Sequence, residues 1–279
     1  MSPKVIVVFA FLAVALAGKP YLGFRLPYDW TQVVGGEDAP RSAYPFIVSL
    51  QWGIANVFSH HFCAGSILNE NWIVTAAHCI NAVPSVGLFQ ISAGRHKLRQ
   101  RESSKQNVHV AKTWVHENYG GSVGPYDIGL LKLSGPLKMT KEVQAIKLPE
   151  EGSVPEKGDA ILCGWGSTSR TETPSKPDSL QHANVTYIDL ITCDATVERL
   201  TGTSHIHHTN VCTGSVTNDI AACIGDSGGP LFEKKNSNFV LTGIVSWGFV
   251  PCGIEPDAPS VFTNPSMHIH WIENIINNN

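Results

Sequence analysis

The sequence predicts an all-β protein with one helix at its C-terminal end. Two observations carry that reading. From Val33 onward, short apolar or alternating runs are separated by turn residues: Phe46 to Leu50, Ser66 to Thr75, Ile128 to Leu133, Ala160 to Trp165, Val185 to Ile188, Val240 to Trp247 and Ser260 to Thr263. Many short strands punctuated by Gly and Pro indicate a sandwich or a barrel, and periodicity alone does not choose between them. The end of the chain breaks the pattern. After Asn264-Pro265-Ser266, Ile269, Ile272 and Ile276 recur at spacings of three and four, which predicts an amphipathic helix over about 266–276.

The elements follow in order. Val5 to Ala17, behind Lys4, is apolar but shorter than the ~20 residues that span a bilayer. Ala15 and Ala17 before Gly18 form a small-residue cleavage pattern, so residues 1–17 read as a secretory signal peptide rather than a membrane anchor. Residues 18–32 read as a short propeptide with few strand signals and no cysteine. The rest is read as one domain, 33–279. Export places the chain where disulfides persist.

Composition narrows the class. The 279 residues are 43% hydrophobic and 15% charged, which suits a packed globular protein and excludes a disordered one. A net charge of -3 provides no basic field for nucleic acid. The helix lacks the lysine-rich polar face of a membrane-surface helix.

The chemistry concentrates in Gly225-Asp226-Ser227-Gly228-Gly229-Pro230. Its glycines let the backbone turn N–H groups toward one point beside a reacting carbonyl. A serine hydroxyl is inert at its free pKa, so Ser227 as nucleophile requires a histidine base and a carboxylate to orient it. His78, in Thr75-Ala76-Ala77-His78-Cys79, and Asp127, in Tyr126-Asp127-Ile128, supply both. The bland alternative is a turn serine, a core histidine and a solvated aspartate.

In this order the three segments resemble the trypsin/chymotrypsin family of serine proteases. Val33-Val34-Gly35-Gly36 resembles the family's mature N-terminus, and Cys163-Gly164-Trp165-Gly166 and Ser246-Trp247-Gly248 match two further landmarks. The resemblance implies two antiparallel β-barrels (about 33–140 and 141–265), with the site in the cleft between them and the helix packed on the second. The crossover is expected within Ser134 to Lys147. It implies catalysis by His78, Asp127 and Ser227, and an oxyanion hole from the N–H groups of Gly225 and Ser227. The amine of Val33, once freed, is expected to pair with Asp226. No cofactor or metal is expected. Relatives with a calcium loop carry carboxylates near Arg95 to Arg101, where this chain has a basic run that reads as a solvated loop.

The resemblance also pairs six of the seven cysteines as Cys63 with Cys79, Cys193 with Cys212, and Cys223 with Cys252, and leaves Cys163 as a buried thiol. The floor of the specificity pocket is Ala221, six positions before Ser227, where trypsin-type members need Asp. An unpartnered Lys or Arg head there would cost several kcal/mol. With Ala222, Ile224, Ser246, Trp247, Gly248 and Ser260 around it, the pocket is expected to take large apolar or aromatic P1 residues, with elastase-like preference for smaller ones as the rival. Gln32 departs from the Arg or Lys usual before the mature N-terminus, so the activating protease is not trypsin-like, or cutting starts at Arg25 and trimming follows. A catalytically silent binding protein on the same fold is the other reading. Protein or peptide substrates, an activating protease and protein inhibitors are the expected partners of a secreted, extracellular monomer, without nucleic acid or membrane. Asn184-Val185-Thr186 is a glycosylation sequon. His205, His207 and His208 read as surface histidines and not as a metal site.

Overall fold

The computed structural model describes residues 36–279 except 55–56, 156, 168–176, 215–220, 224, 251, 253–254 and 256. The leader, Val33 and Ile224 therefore lie outside the described residues.

Two antiparallel barrels make up the fold. A short strand, β1 (Glu37–Asp38), precedes β2 (Ile47–Ile54), β3 (Val57–Asn69), β4 (Trp72–Thr75), β5 (Leu88–Ala93), β6 (Gln106–Val115) and β7 (Gly129–Leu133). The six from β2 close in the order β2-β3-β4-β7-β6-β5. The second set is β8 (Asp159–Gly164), β9 (Gln181–Ile188), β10 (Asn210–Gly214), β11 (Pro230–Lys235), β12 (Asn238–Trp247) and β13 (Ser260–Thr263). It runs β9-β10-β13-β12-β11-β8 and closes through β8 on β9. β1 adds to the second barrel, pairing Glu37 with His182 and Asp38 with Gln181.

Alternation explains the strands. Along β9, Gln181, Ala183, Val185 and Tyr187 are buried, while Asn184 and Thr186 face solvent. The run read as one strand from Ser66 to Thr75 is two, β3 and β4. Asn69 and Asn71 break it, and the Asn69 side chain accepts the Asn71 N–H at 2.9 Å. β6 escaped the sequence reading because its side chains are mostly half-buried or exposed.

The two cores merge where the barrels meet. Phe46 packs edge-on to Phe232 at 4.9 Å between ring centroids, and Phe232 packs edge-on to Phe239 at 5.4 Å. Each buried aromatic contributes about 1.5–3 kcal/mol by leaving water. Beyond β7 the connection pairs Thr140 with Val143 and then Lys147 with Val240, which delivers the chain to β12.

Among the described residues three helices complete the fold: α1 (Ala77–Asn81), α2 (Leu190–Thr201) and α3 (Ile269–Asn278), the last preceded by a 3-10 turn at Pro265–His268. α2 was not read from the sequence, yet its ends are marked. The Asp189 side chain accepts the Thr192 N–H, and Gly202 ends the helix at φ 80°. α3 corrects two expectations. Its buried face is Ile269, Ile272 and Ile275, with Ile276 only partly covered. It reaches the first barrel and does not rest on the second alone. Ile272 and Ile275 join the apolar cluster that the two barrels share, and the Trp271 indole N–H donates to Glu117, just past β6, at 2.9 Å.

Candidate active site

The basic member stands on the shortest helix. α1 follows β4 directly, so His78 is fixed within three residues of a strand end. The disulfide Cys63–Cys79 ties the same helix to β3. His78 and Asp127 are both buried. Asp127 Oδ1 accepts the His78 backbone N–H at 2.9 Å, and Oδ2 accepts the ring N–H at Nδ1 at 2.7 Å. One carboxylate thus sets the position and the tautomer of one imidazole, leaving Nε2 as the basic nitrogen.

Ser246 has a further role besides the pocket-lining one expected of it. Its hydroxyl donates to Asp127 Oδ2 at 2.6 Å. The register of β12 on β13 shifts between Val245 and Trp247, and this bulge turns Ser246 out of the ladder toward the carboxylate. Thr263, which the sequence reading passed over, holds the same segment by donating to the Asp127 carbonyl at 2.9 Å.

The Ser227 turn docks against the wall that carries His78. The Ser227 carbonyl accepts the Ala64 N–H at 2.8 Å. Gly228 has φ 75°, and a Cβ there would lie 2.1 Å from Thr75 Oγ1 and 2.6 Å from the Ala64 carbonyl. Only glycine fits that approach. The N–H groups of Asp226, Gly228 and Gly229 donate to the carbonyls of Cys223, Val245 and Asp226. Among the described residues those of Gly225 and Ser227 donate to none, so these two are the donors the turn leaves available. Hydrogen bonds between a serine nucleophile and its base commonly tighten only when substrate is bound.

Asp226 is fully buried in a glycine cradle. A Cβ on Gly164 or Gly166 would lie 2.0 or 2.2 Å from its carboxylate oxygens. It accepts the Gly166 N–H at 2.8 Å and the Cys223 N–H at 3.1 Å. Burial outweighs both bonds and pushes its pKa up to about 7. Cys163 is a free thiol, also fully buried, whose pKa burial raises well above the usual value.

The described pocket residues are apolar except for Ser246 and Ser260, whose hydroxyls are both hydrogen-bonded. Ala221 lies buried with Cys223 and Cys252, which are bonded to each other, and against Val250. Ser260 Oγ accepts the Ala222 N–H at 3.0 Å, which fixes the hydroxyl against the neighbouring segment. Gly248 leaves at least 3.8 Å from a Cβ there to any neighbour. Trp247 is buried, and the Cys193–Cys212 disulfide lies in its cluster.

Two expectations about loops change. Arg95 is not a solvated cation, because its guanidinium donates to the carbonyls of Lys97 at 3.2 Å, of Gln100 at 2.9 Å and of Leu98. His207 is not a simple surface residue. Its ring tilts on Tyr126, which in turn stacks on His116 with centroids 4.9 Å apart. The Cys63, His78 and Cys79 ligand atoms do lie within 4.8 Å of one another. Both sulfurs are in a disulfide, so the group offers no thiolate to a metal.

Comparison with known proteins agrees with this arrangement. The trypsin family model matches residues 33–272. Trypsin-1 of Astacus astacus is 37% identical over 86% of this chain and 98% of its own length. Serine protease 1 of Rattus norvegicus is 33% identical over 96% and 98%. Chymotrypsin-like elastase family member 1 of Homo sapiens is 33% identical over 91% and 96%. Across its two barrels and the cleft residues they carry, this chain belongs to the trypsin family and is a serine endopeptidase.

Proposed function

We propose that the chain is a secreted serine endopeptidase, made as a zymogen, that cleaves after large apolar or aromatic residues. The observation that carries the catalytic part is the buried Asp127–His78 pair, with the imidazole tautomer set by a 2.7 Å bond. His78 Nε2 takes the Ser227 proton as the hydroxyl attacks the scissile carbonyl. Asp127 stabilises the imidazolium that forms. The N–H groups of Gly225 and Ser227 receive the developing oxyanion, and one such donor is worth about 3 kcal/mol in the transition state. His78 then protonates the leaving amine, and water hydrolyses the acyl-enzyme by the same route.

Activation rests on Asp226. A buried carboxylate with only N–H partners favours its neutral form. The amine of Val33, freed by cutting after Gln32, supplies the missing cation and holds the Gly225 turn in its productive shape. Gln32 calls for an activating protease without basic P1 preference, or for a first cut at Arg25. Residues 1–17 act as the export signal. Asn184 faces solvent on β9 and is the glycan acceptor.

Specificity rests on Ala221. The described lining has no carboxylate at the floor, so a basic P1 head would be buried unpaired. Phe, Tyr, Leu and Met fit best, and an elastase-like preference for smaller residues is the near alternative, which Ser260 at the wall favours. The test is the chain beginning at Val33, assayed on peptides differing only at P1. Phe or Leu above Ala, and all three well above Arg, is expected. Arg as best substrate overturns the pocket assignment, and no cleavage of any overturns the enzymatic one.

A further inference from the structure

A line of buried polar side chains crosses the first barrel and ends on the turn that carries the proposed oxyanion donors. Gln90 Nε2 donates to Gln51 Oε1 at 3.1 Å, and Gln51 Nε2 donates to Ser49 Oγ at 3.3 Å. Ser49 Oγ lies 2.8 Å from His61 Nδ1, and His61 Nε2 lies 3.0 Å from the Gly225 carbonyl oxygen. Ser49, Gln51 and Gln90 are buried, at 0%, 6% and 7% exposure. Trp165 packs edge-on to the imidazole. Three strands contribute: Ser49 and Gln51 on β2, His61 on β3 and Gln90 on β5.

The chemistry gives the line one direction. A carbonyl only accepts, so His61 Nε2 carries a proton. In a neutral imidazole Nδ1 is then the acceptor, so the Ser49 hydroxyl, which accepts from Gln51, donates its own proton to His61 Nδ1. A neutral His61 therefore has the Nε2–H tautomer, and each bond donates toward Gly225. Gly225 itself has φ 106°, a conformation open to glycine and to few other residues. Buried polar side chains in such a fully donated line polarise one another and are costly to leave half-satisfied.

We propose that Gln51 and Gln90 are positioning residues for the oxyanion turn. They orient the Ser49 hydroxyl, which fixes the His61 tautomer, which anchors the Gly225 carbonyl and so aims the Gly225 N–H. The proposal rests on the reading of Gly225 as an oxyanion donor. It predicts that isosteric loss of the glutamine donors acts on turnover more than on substrate binding.

The experiment uses histidine-¹⁵N-labelled chain beginning at Val33. Long-range ¹H–¹⁵N spectra at pH 7.5 identify the His61 tautomer, assigned with His61→Gln. Wild type shows only the Nε2–H form. Gln51→Met shows a mixture of tautomers, with kcat on a Phe-P1 peptide down about fivefold, a fraction of the effect of losing an oxyanion donor outright, and KM within twofold. Gln90→Met, one link further out, moves both readouts the same way by less, and it carries the test if Gln51→Met does not fold. A wild-type Nδ1–H tautomer overturns the proposal, and so do variants with unchanged tautomer and kcat. Failure of the proposed function would show instead as no turnover by wild type, whatever its His61 spectrum.

Discussion

The site holds two buried aspartates that the fold treats differently. Asp127 receives three donors from side chain and backbone: the His78 N–H, the His78 ring and the Ser246 hydroxyl. Asp226 receives two backbone N–H groups, and burial pushes it up to about 7. Asp127 has its titratable partner within the described fold. Asp226 is shaped for an anion but has no cation among the described residues to keep it charged. That difference separates the proposed catalytic pair from the proposed switch that completes it.

The sharpest way to break the contrast is at Asp127. Asp127→Asn keeps the shape but offers His78 the wrong partner, and kcat is expected to fall about 10⁴-fold at neutral pH. The Asp226 side gives a smaller effect. Asp226→Asn cannot pair with an amine, so the chain beginning at Val33 should lose about 10²-fold or more in kcat, comparable to losing one oxyanion donor. Smaller again is Ser246→Ala. It removes one charge-assisted hydrogen bond from Asp127, and kcat/KM should drop about tenfold.

The mildest test is pH and stability in the uncut chain. The folded-state pKa of Asp226 is raised above the ordinary carboxylate value. The folded state therefore binds the proton more tightly than the unfolded state. This contribution to stability is fully present below about pH 4 and is lost as pH rises toward about 7. Urea titrations should show stability falling across that window by up to about 1.4 kcal/mol per pH unit from this group. Asp226→Asn should remove that slope, and so should release of the Val33 amine.

The sequence made some of this legible and hid the rest for physical reasons. His78, Asp127 and Ser227 sit in or beside short motifs, and glycines next to two of them are forced by close approach, as Gly129 against Ile80 and Gly228 against Thr75 illustrate. The barrels were legible because inward residues alternate strictly, as in β9. β6 was not, because none of its residues is fully buried and its alternation stops after Ala111. The placement of α3 was missed because an apolar helical face does not say which barrel it meets. The link from Ser246 to Asp127 was hidden by a bulge that no residue pattern announces. The line from Gln90 to His61 was hidden because its members are far apart in sequence and polar, the types least expected in a barrel interior.

The central claim is that Ser227 is the nucleophile and that freeing Val33 makes it so. The most direct measurement treats the uncut chain and the chain beginning at Val33 with an organophosphate and locates the adduct by peptide mass spectrometry. The account predicts one adduct, on Ser227, formed rapidly in the processed chain and at least 10²-fold more slowly in the uncut one, the scale of a lost oxyanion donor. An adduct on another residue, no adduct in the processed chain, or equal rates in both would contradict it.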